Sequence, residues 1–385
     1  MTNSTAYPTI RAHVFYGGDA RMFLKQAPGN SNAVDGVTFS FGLETSPDAD
    51  VLIVYTRASF SVPTRLPQER TAFIAGEPDP IHRYNPAFLN QFGLVLTTSA
   101  EPLAVPTIRA NYCSKWYAGI DYDEEPDHPN LAGHDYFSGL RPPRKTSDRI
   151  SIVTSRKAST PYHKKRLEFI DFLRQRIPDR IDLYGSGHRY VGDKREALEP
   201  YKYHLALENG DGDFSWTEKL SDPLLCWTFP FYSGCGNVGD DLPAGCHMPL
   251  DLTDFNAALA RMIHAVEGGQ YETALDDIAE ARRRILDHYN LMSMLARVAR
   301  QAFEAAPDAA AGRRERLVYS ERSFVPEDGY RGSRGQALLR RAILLLDPHF
   351  DLRLARLKEA RSTARAHRLR EERARAGIGK ASGQV

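Results

Sequence analysis

Residues 201–252, YKYHLALENGDGDFSWTEKLSDPLLCWTFPFYSGCGNVGDDLPAGCHMPLDL, decide the fold of this chain. Tyr203 to Leu207 is a short, mostly apolar run, which suits a buried parallel strand. It ends in Glu208 and Asn209, and the turn-forming run Gly210, Asp211, Gly212 and Asp213 follows. Thr217 and Glu218 then supply a cap and an acidic first turn, so a helix is expected from Thr217 to about Trp227. A second strand, Phe229 to Tyr232, breaks at Gly234 and Gly236. Ligands of open parallel sheets bind beyond the carboxyl ends of the strands, where helix N-termini favour phosphate. Glu208, Asn209, Glu218 and Lys219 therefore fall where a sugar nucleotide would sit.

Working outward, ISIVTS (Ile150 to Ser155) and IDLYG (Ile181 to Gly185) continue the strand pattern, with a helix between them at about Lys164 to Arg176. Upstream, HVFY (His13 to Tyr16), VLIVY (Val51 to Tyr55), TAFIAG (Thr71 to Gly76) and LVLTTS (Leu94 to Ser99) predict another α/β unit. Asp121 to Ser147 turns to Asp, Glu, Pro, His and Arg and is expected to be a linker. Helical patterning returns at Phe255 to Val266 and from Tyr271 to about Phe303.

With 385 residues the chain exceeds a single core, so two domains of about 150 residues plus an appendage are expected. The expected division is 1–147, an N-terminal domain including the linker; 148–306, a C-terminal nucleotide-binding domain; and 307–385, a helical, Arg-rich extension. A formal net charge of +1 gives no ground for a nucleic-acid partner. The N-terminus lacks a basic segment followed by an apolar stretch, and no run is of membrane-spanning length, so a cytoplasmic location is expected. Cys113, Cys226, Cys235 and Cys246 have no zinc-like spacing and are expected to be free thiols. In the tail, Leu352, Leu354 and Leu357 are too few for a heptad seam. A solvated helix is the first expectation there, and peripheral contact with an anionic membrane, at the inner face, is the second.

The runs ALEN, FSWTEKL, FPFYSGCGN and LPAG, preceded by HKKRLEF, resemble the donor-binding half of the family 10 glycosyltransferases, the α1,3/1,4-fucosyltransferases, in their soluble bacterial branch. The resemblance covers Ile150 to Asp254 well, is thinner upstream, and is absent from the last seventy or so residues. It implies an α/β chain of GT-B architecture, two Rossmann-like domains facing a cleft. It also implies inverting transfer of L-fucose from GDP-β-L-fucose to a glycan or lipid-linked glycan, in surface polysaccharide or lipopolysaccharide synthesis. Lys219 matches the family lysine near the donor phosphates, and Glu218 a glutamate that bonds the donor ribose or sugar. Arg166 matches an arginine approaching the diphosphate, and a guanidinium fork suits phosphate oxygens. Glu208 and Asn209 match the EN pair at a strand end, to contact the donor or to satisfy loop amides, and Glu77, in FIAGEPDP, matches the short GE motif carrying the catalytic base.

Asp211-Gly-Asp213 has the DxD form that binds metal in other folds, but in this Gly-rich run turn chemistry is the expected role. No metal site and no required cofactor are expected, with Mg or Mn a stimulant at most. Ser215 departs from the family, which carries an aromatic residue there. The departure keeps open a different nucleotide-sugar donor, and a non-catalytic carbohydrate- or nucleotide-binding relative is a third reading.

Overall fold

The computed structural model describes residues 9–56, 58–122, 129–156, 158, 160–185, 187–309, 312, 314–326, 332–358 and 361. In the N-terminal half the sheet runs in the order Ala33–Val34, Val37–Gly42, Ile10–Phe15, Val51–Tyr55, Thr71–Ile74, Leu94–Thr97, Thr107–Arg109. All neighbours are parallel except the first pair, a hairpin turned by Asp35 and Gly36, both at positive φ. Every residue of VLIVY and TAFI is buried, as a sheet covered on both faces requires.

The second sheet runs Ile181–Tyr184, Ser147–Val153, Tyr201–Leu207, Phe229–Ser233, Met248–Pro249, all parallel. Counted among parallel strands only, both sheets share the order 2-1-3-4-5, with a sixth strand on the first. Strand order therefore reverses in each sheet beside its first strand, the crevice where such sheets bind ligands. In the first sheet that point is flanked by Tyr16 and Thr56, and in the second by Thr154 and Glu208. The two Rossmann-like domains face each other across a cleft, the GT-B arrangement. Among the described residues no helix is long and apolar enough to cross a membrane.

The helices follow the sequence pattern closely. Pro161–Arg176 begins at Thr160, whose hydroxyl accepts from His163 N at 3.1 Å. Phe255–Glu267 and Leu275–Asp287 cover the second sheet through Met262, Ile278 and Ile285. All four cysteines are buried and free.

Three expectations need correction. The segment expected as a linker is docked where it is described: helix His134–Gly139 buries Phe137 in the C-terminal core, and Asp135 accepts from Gly29 N at 3.0 Å. Gly133 lies so close to the Lys25 carbonyl that a Cβ would collide with it. The acidic stretch 123–128 lies outside the described residues. Polar composition hid the aromatic anchor Phe137, which with Trp116, just before the segment, ties the crossing chain down.

The boundary at 306 also departs from the packing. Helix Leu291–Glu304 buries Leu291, Leu295, Val298 and Ala302 in the core of the N-terminal sheet. Gln26 Oε1 accepts from Leu291 N at 2.7 Å, and Arg70 donates to the carbonyls of Ala306 and Pro307, each at 2.8 Å. The chain thus returns to the domain it started in.

The extension is likewise anchored. Arg316–Val318 pairs antiparallel with Val62–Thr64. Asp351 is fully buried, accepting from Ser61 N at 2.7 Å and Arg340 at 2.6 Å, and Leu352 and Ala355 are buried with it. Helix Arg334–Leu346 leaves Leu338, Leu339, Leu345 and Leu346 exposed. The Arg-rich run from 362 to 385 lies outside the described residues.

Candidate active site

A cleft of about 690 Å³ opens between the domains. Its N-terminal wall carries Thr56, Glu77, Tyr112, Ser114 and Lys115, and its C-terminal wall carries Thr154, Arg166, Lys194, Asn209, Glu218 and Lys219. Five of the six residues singled out in the sequence therefore line one space.

Glu77 follows Thr71–Ile74, whose carboxyl end points the GEP loop at the cleft, and it is half-buried there. Gly76 must be small, because a Cβ would overlap the Thr56 side chain.

Across the cleft, Thr217 caps helix Glu218–Leu225. Its backbone N and hydroxyl both donate to the Glu208 carboxylate, at 2.9 and 2.8 Å. Lys219 Nζ lies 3.4 Å from Glu208 and 3.0 Å from Glu218. One cation therefore serves two carboxylates. Burial pushes the Glu208 pKa up, with Glu218 adding to it and Lys219 partly offsetting it. Burial acts the same way on Glu218, but Lys219 and Lys194 outweigh it and hold that carboxyl below its ordinary value. For Lys219 burial favours the neutral amine, yet the two acids prevail and raise its pKa. Lys219 is thus a firmly held positive charge at a helix N-terminus.

Arg166 is 4% exposed. Its Nη1 donates to Asn209 Oδ1 at 2.7 Å and its Nη2 to Ser155 O at 3.3 Å, while its buried Nε has no hydrogen-bond partner. Burial lowers its pKa, and Glu208 partly restores it. An arginine stays charged under such a shift, so an under-satisfied guanidinium stands beside the strand end.

Glu208 is not among the residues that line the cleft. It is 2% exposed and lies beneath the cleft, and Tyr232 Oη donates to it at 3.4 Å. A Cβ on Gly234 would overlap its side chain, which explains the glycine in YSGCG. Glu208 satisfies the backbone N–H and hydroxyl of Thr217 and lies within reach of Lys219.

Ser215 also turns away from the cleft: its hydroxyl donates to Gly212 O at 2.6 Å. Asp211 and Asp213 are exposed, and Asp213 pairs with Arg109 at 3.2 Å. Among the described residues no three of His, Cys, Asp or Glu are gathered as metal ligands.

Lys115 and Lys194 were not singled out in the sequence. Lys194 belongs to the run DKRE, whose capping box (Asp193 and Glu196) is a visible helix-start signal but says nothing of a cleft. Its Nζ donates to Asp222 at 2.9 Å, and Asp222 also accepts from the backbone N of Tyr117 and Ala118. Lys115 carries no local signal at all.

No protein-family model matches the chain, and no curated protein matches it. Among solved structures it is similar to an α1,3-fucosyltransferase, with 18% identity and a TM-score of 0.48, over 84% of this chain and 95% of that one. It is similar to an α1,3-fucosyltransferase with GDP-fucose, with 18% identity and a TM-score of 0.46, over 81% and 95% respectively. A glycosyltransferase from Rickettsia africae ESF-5 shares 11% identity at a TM-score of 0.43, over 78% of this chain and 100% of that one.

Proposed function

We propose that this chain is an inverting glycosyltransferase of the family 10 type, moving L-fucose from GDP-β-L-fucose to a hydroxyl of a surface glycan or lipid-linked glycan. The observation that carries the proposal is a single cleft with a carboxylate on one wall and a cationic group on the other. Glu77 stands at a strand end of the N-terminal sheet, and Arg166 and Lys219 stand at the reversal point of the C-terminal sheet. Transfer needs a base for the acceptor hydroxyl and positive charge for the departing diphosphate.

In this reading the acceptor oxygen attacks the anomeric carbon as its proton passes to Glu77. The bond from that carbon to the diphosphate breaks on the opposite side. GDP departs with the bonding pair, and Arg166 and Lys219 stabilise its growing charge. Asn209 holds the Arg166 fork, and Glu218, which lines the same cleft, bonds the donor ribose or sugar. No step calls for a metal ion. Ser215, tied to its own turn, gives no ground for preferring another donor sugar.

The test is calorimetric titration of the full chain with GDP-fucose, GDP-mannose, UDP-glucose and CMP-sialic acid, followed by transfer assays with any donor that binds. Tightest binding of GDP-fucose is the expected result. Preference for another nucleotide sugar would replace the donor, and binding without transfer to any glycan would remove the enzyme.

A further inference from the structure

The cations of the C-terminal wall already have polar partners: Lys219 has Glu208 and Glu218, Lys194 has Asp222, and Arg166 has Asn209 and Ser155. Lys115, on the opposite wall, is seated differently. Its Nζ donates to Tyr16 Oη and lies 4.4 Å from the centroid of the Tyr16 ring and 5.4 Å from that of Phe23. Among the described residues it has no carboxylate partner. The two rings meet edge to face at 4.9 Å, and Phe23 is fully buried. Gly18 completes the seat, since a Cβ there would overlap the Tyr16 phenol.

An ammonium is attracted to the faces of aromatic rings, and with one N–H given to Tyr16 two of its three remain for another acceptor. Such a group is prepared for an anion. Lys115 belongs to the same domain as Glu77, not to the wall that carries Arg166 and Lys219. Tyr16 also lines a second groove of about 470 Å³, with Gly17, Gly18, Phe41, Leu43 and the paired Glu44 and Arg356, so there is room for further sugars beside the Tyr16 ring.

We propose that the acceptor is an acidic glycan and that Lys115, seated on Tyr16 and Phe23, binds its carboxylate or phosphate group. This rests on the transfer reading above, but it can be tested without transfer.

The probes are tri-galacturonate and its neutral methyl ester, and mannobiose with and without a 6-phosphate. Each is titrated into the donor-free full chain, wild type and Lys115→Met, with GDP-fucose titrated separately. The wild type is expected to bind one acidic probe about tenfold more tightly than its neutral counterpart, the scale of a charge-assisted hydrogen bond. Which acid is preferred identifies the group as carboxylate or phosphate. Lys115→Met should erase that preference and leave GDP-fucose binding unchanged, and Lys115→Arg should retain the preference. Equal binding of acidic and neutral probes by the wild type would overturn the proposal. A loss of donor affinity in Lys115→Met would also overturn it, assigning the lysine to the diphosphate. A chain that binds acidic glycans through Lys115 but no nucleotide sugar would sink the transfer reading and leave this one standing.

Discussion

Asp222, with no solvent exposure, holds Lys194 Nζ at 2.9 Å. The same carboxylate takes the backbone N–H groups of Tyr117 and Ala118, so one acid on the helix that begins with Glu218 and Lys219 fastens the chain crossing between the domains. Removing one partner of a buried pair leaves a charge without compensation. Asp222→Ala is expected to lower the unfolding free energy by about 3–5 kcal/mol in urea titrations. A loss under about 1 kcal/mol, the range of exposed pairs, would show that the pair is not acting as a buried one.

Glu77→Gln keeps the size and hydrogen-bonding reach of the side chain and removes its basicity. Transfer should fall by at least about a hundredfold, the usual contribution of a general base, while calorimetric donor affinity stays within a factor of about two. Near-normal turnover would move the base elsewhere.

Lys219→Ala and Arg166→Lys probe the opposite wall. The first removes the cation and leaves Glu208 and Glu218 to repel each other; the second keeps a charge but loses the fork that reaches Asn209 and Ser155. Donor affinity should drop by about tenfold or more in each, the scale of a lost charge-assisted bond. Unaltered affinity in both would separate these residues from the diphosphate.

Lys25 provides a pH test of the interdomain packing. Its buried ammonium donates to Ala118 O at 3.0 Å. Burial, partly offset by Asp222 and Asp193, brings its pKa from 10.5 down to about 8. Between those two values the unfolded chain holds a proton that the folded chain has released. Stability from this group therefore rises with pH across that window and is lowest below pH 8. The wild-type curve minus that of Lys25→Met should climb by up to about 3 kcal/mol from pH 8 to 10.5. A flat difference curve would contradict the assignment.

Much of this fold was legible because VLIVY, TAFI and YHLAL are short, mostly apolar runs, the mark of strands buried on both faces. The amphipathic pattern of Leu291–Glu304 announced a helix, but periodicity states that a face is buried and not which sheet buries it. Glu208 was placed at its strand end by the EN pair. Its withdrawal beneath the surface depends on Gly234 and the returning Thr217, contacts that only the folded loops create. Lys115 stands in an irregular segment and Lys194 opens a single short helical turn, and only the meeting of two domains brings them to one cleft.

The return of Leu291–Glu304 to the first sheet sets an order of events during synthesis. The strands of the second sheet and the helices through Asp287 leave the ribosome before the helix that completes the first core has been made. The domain that begins the chain must then wait, with one face of its sheet uncovered, for the domain that follows it.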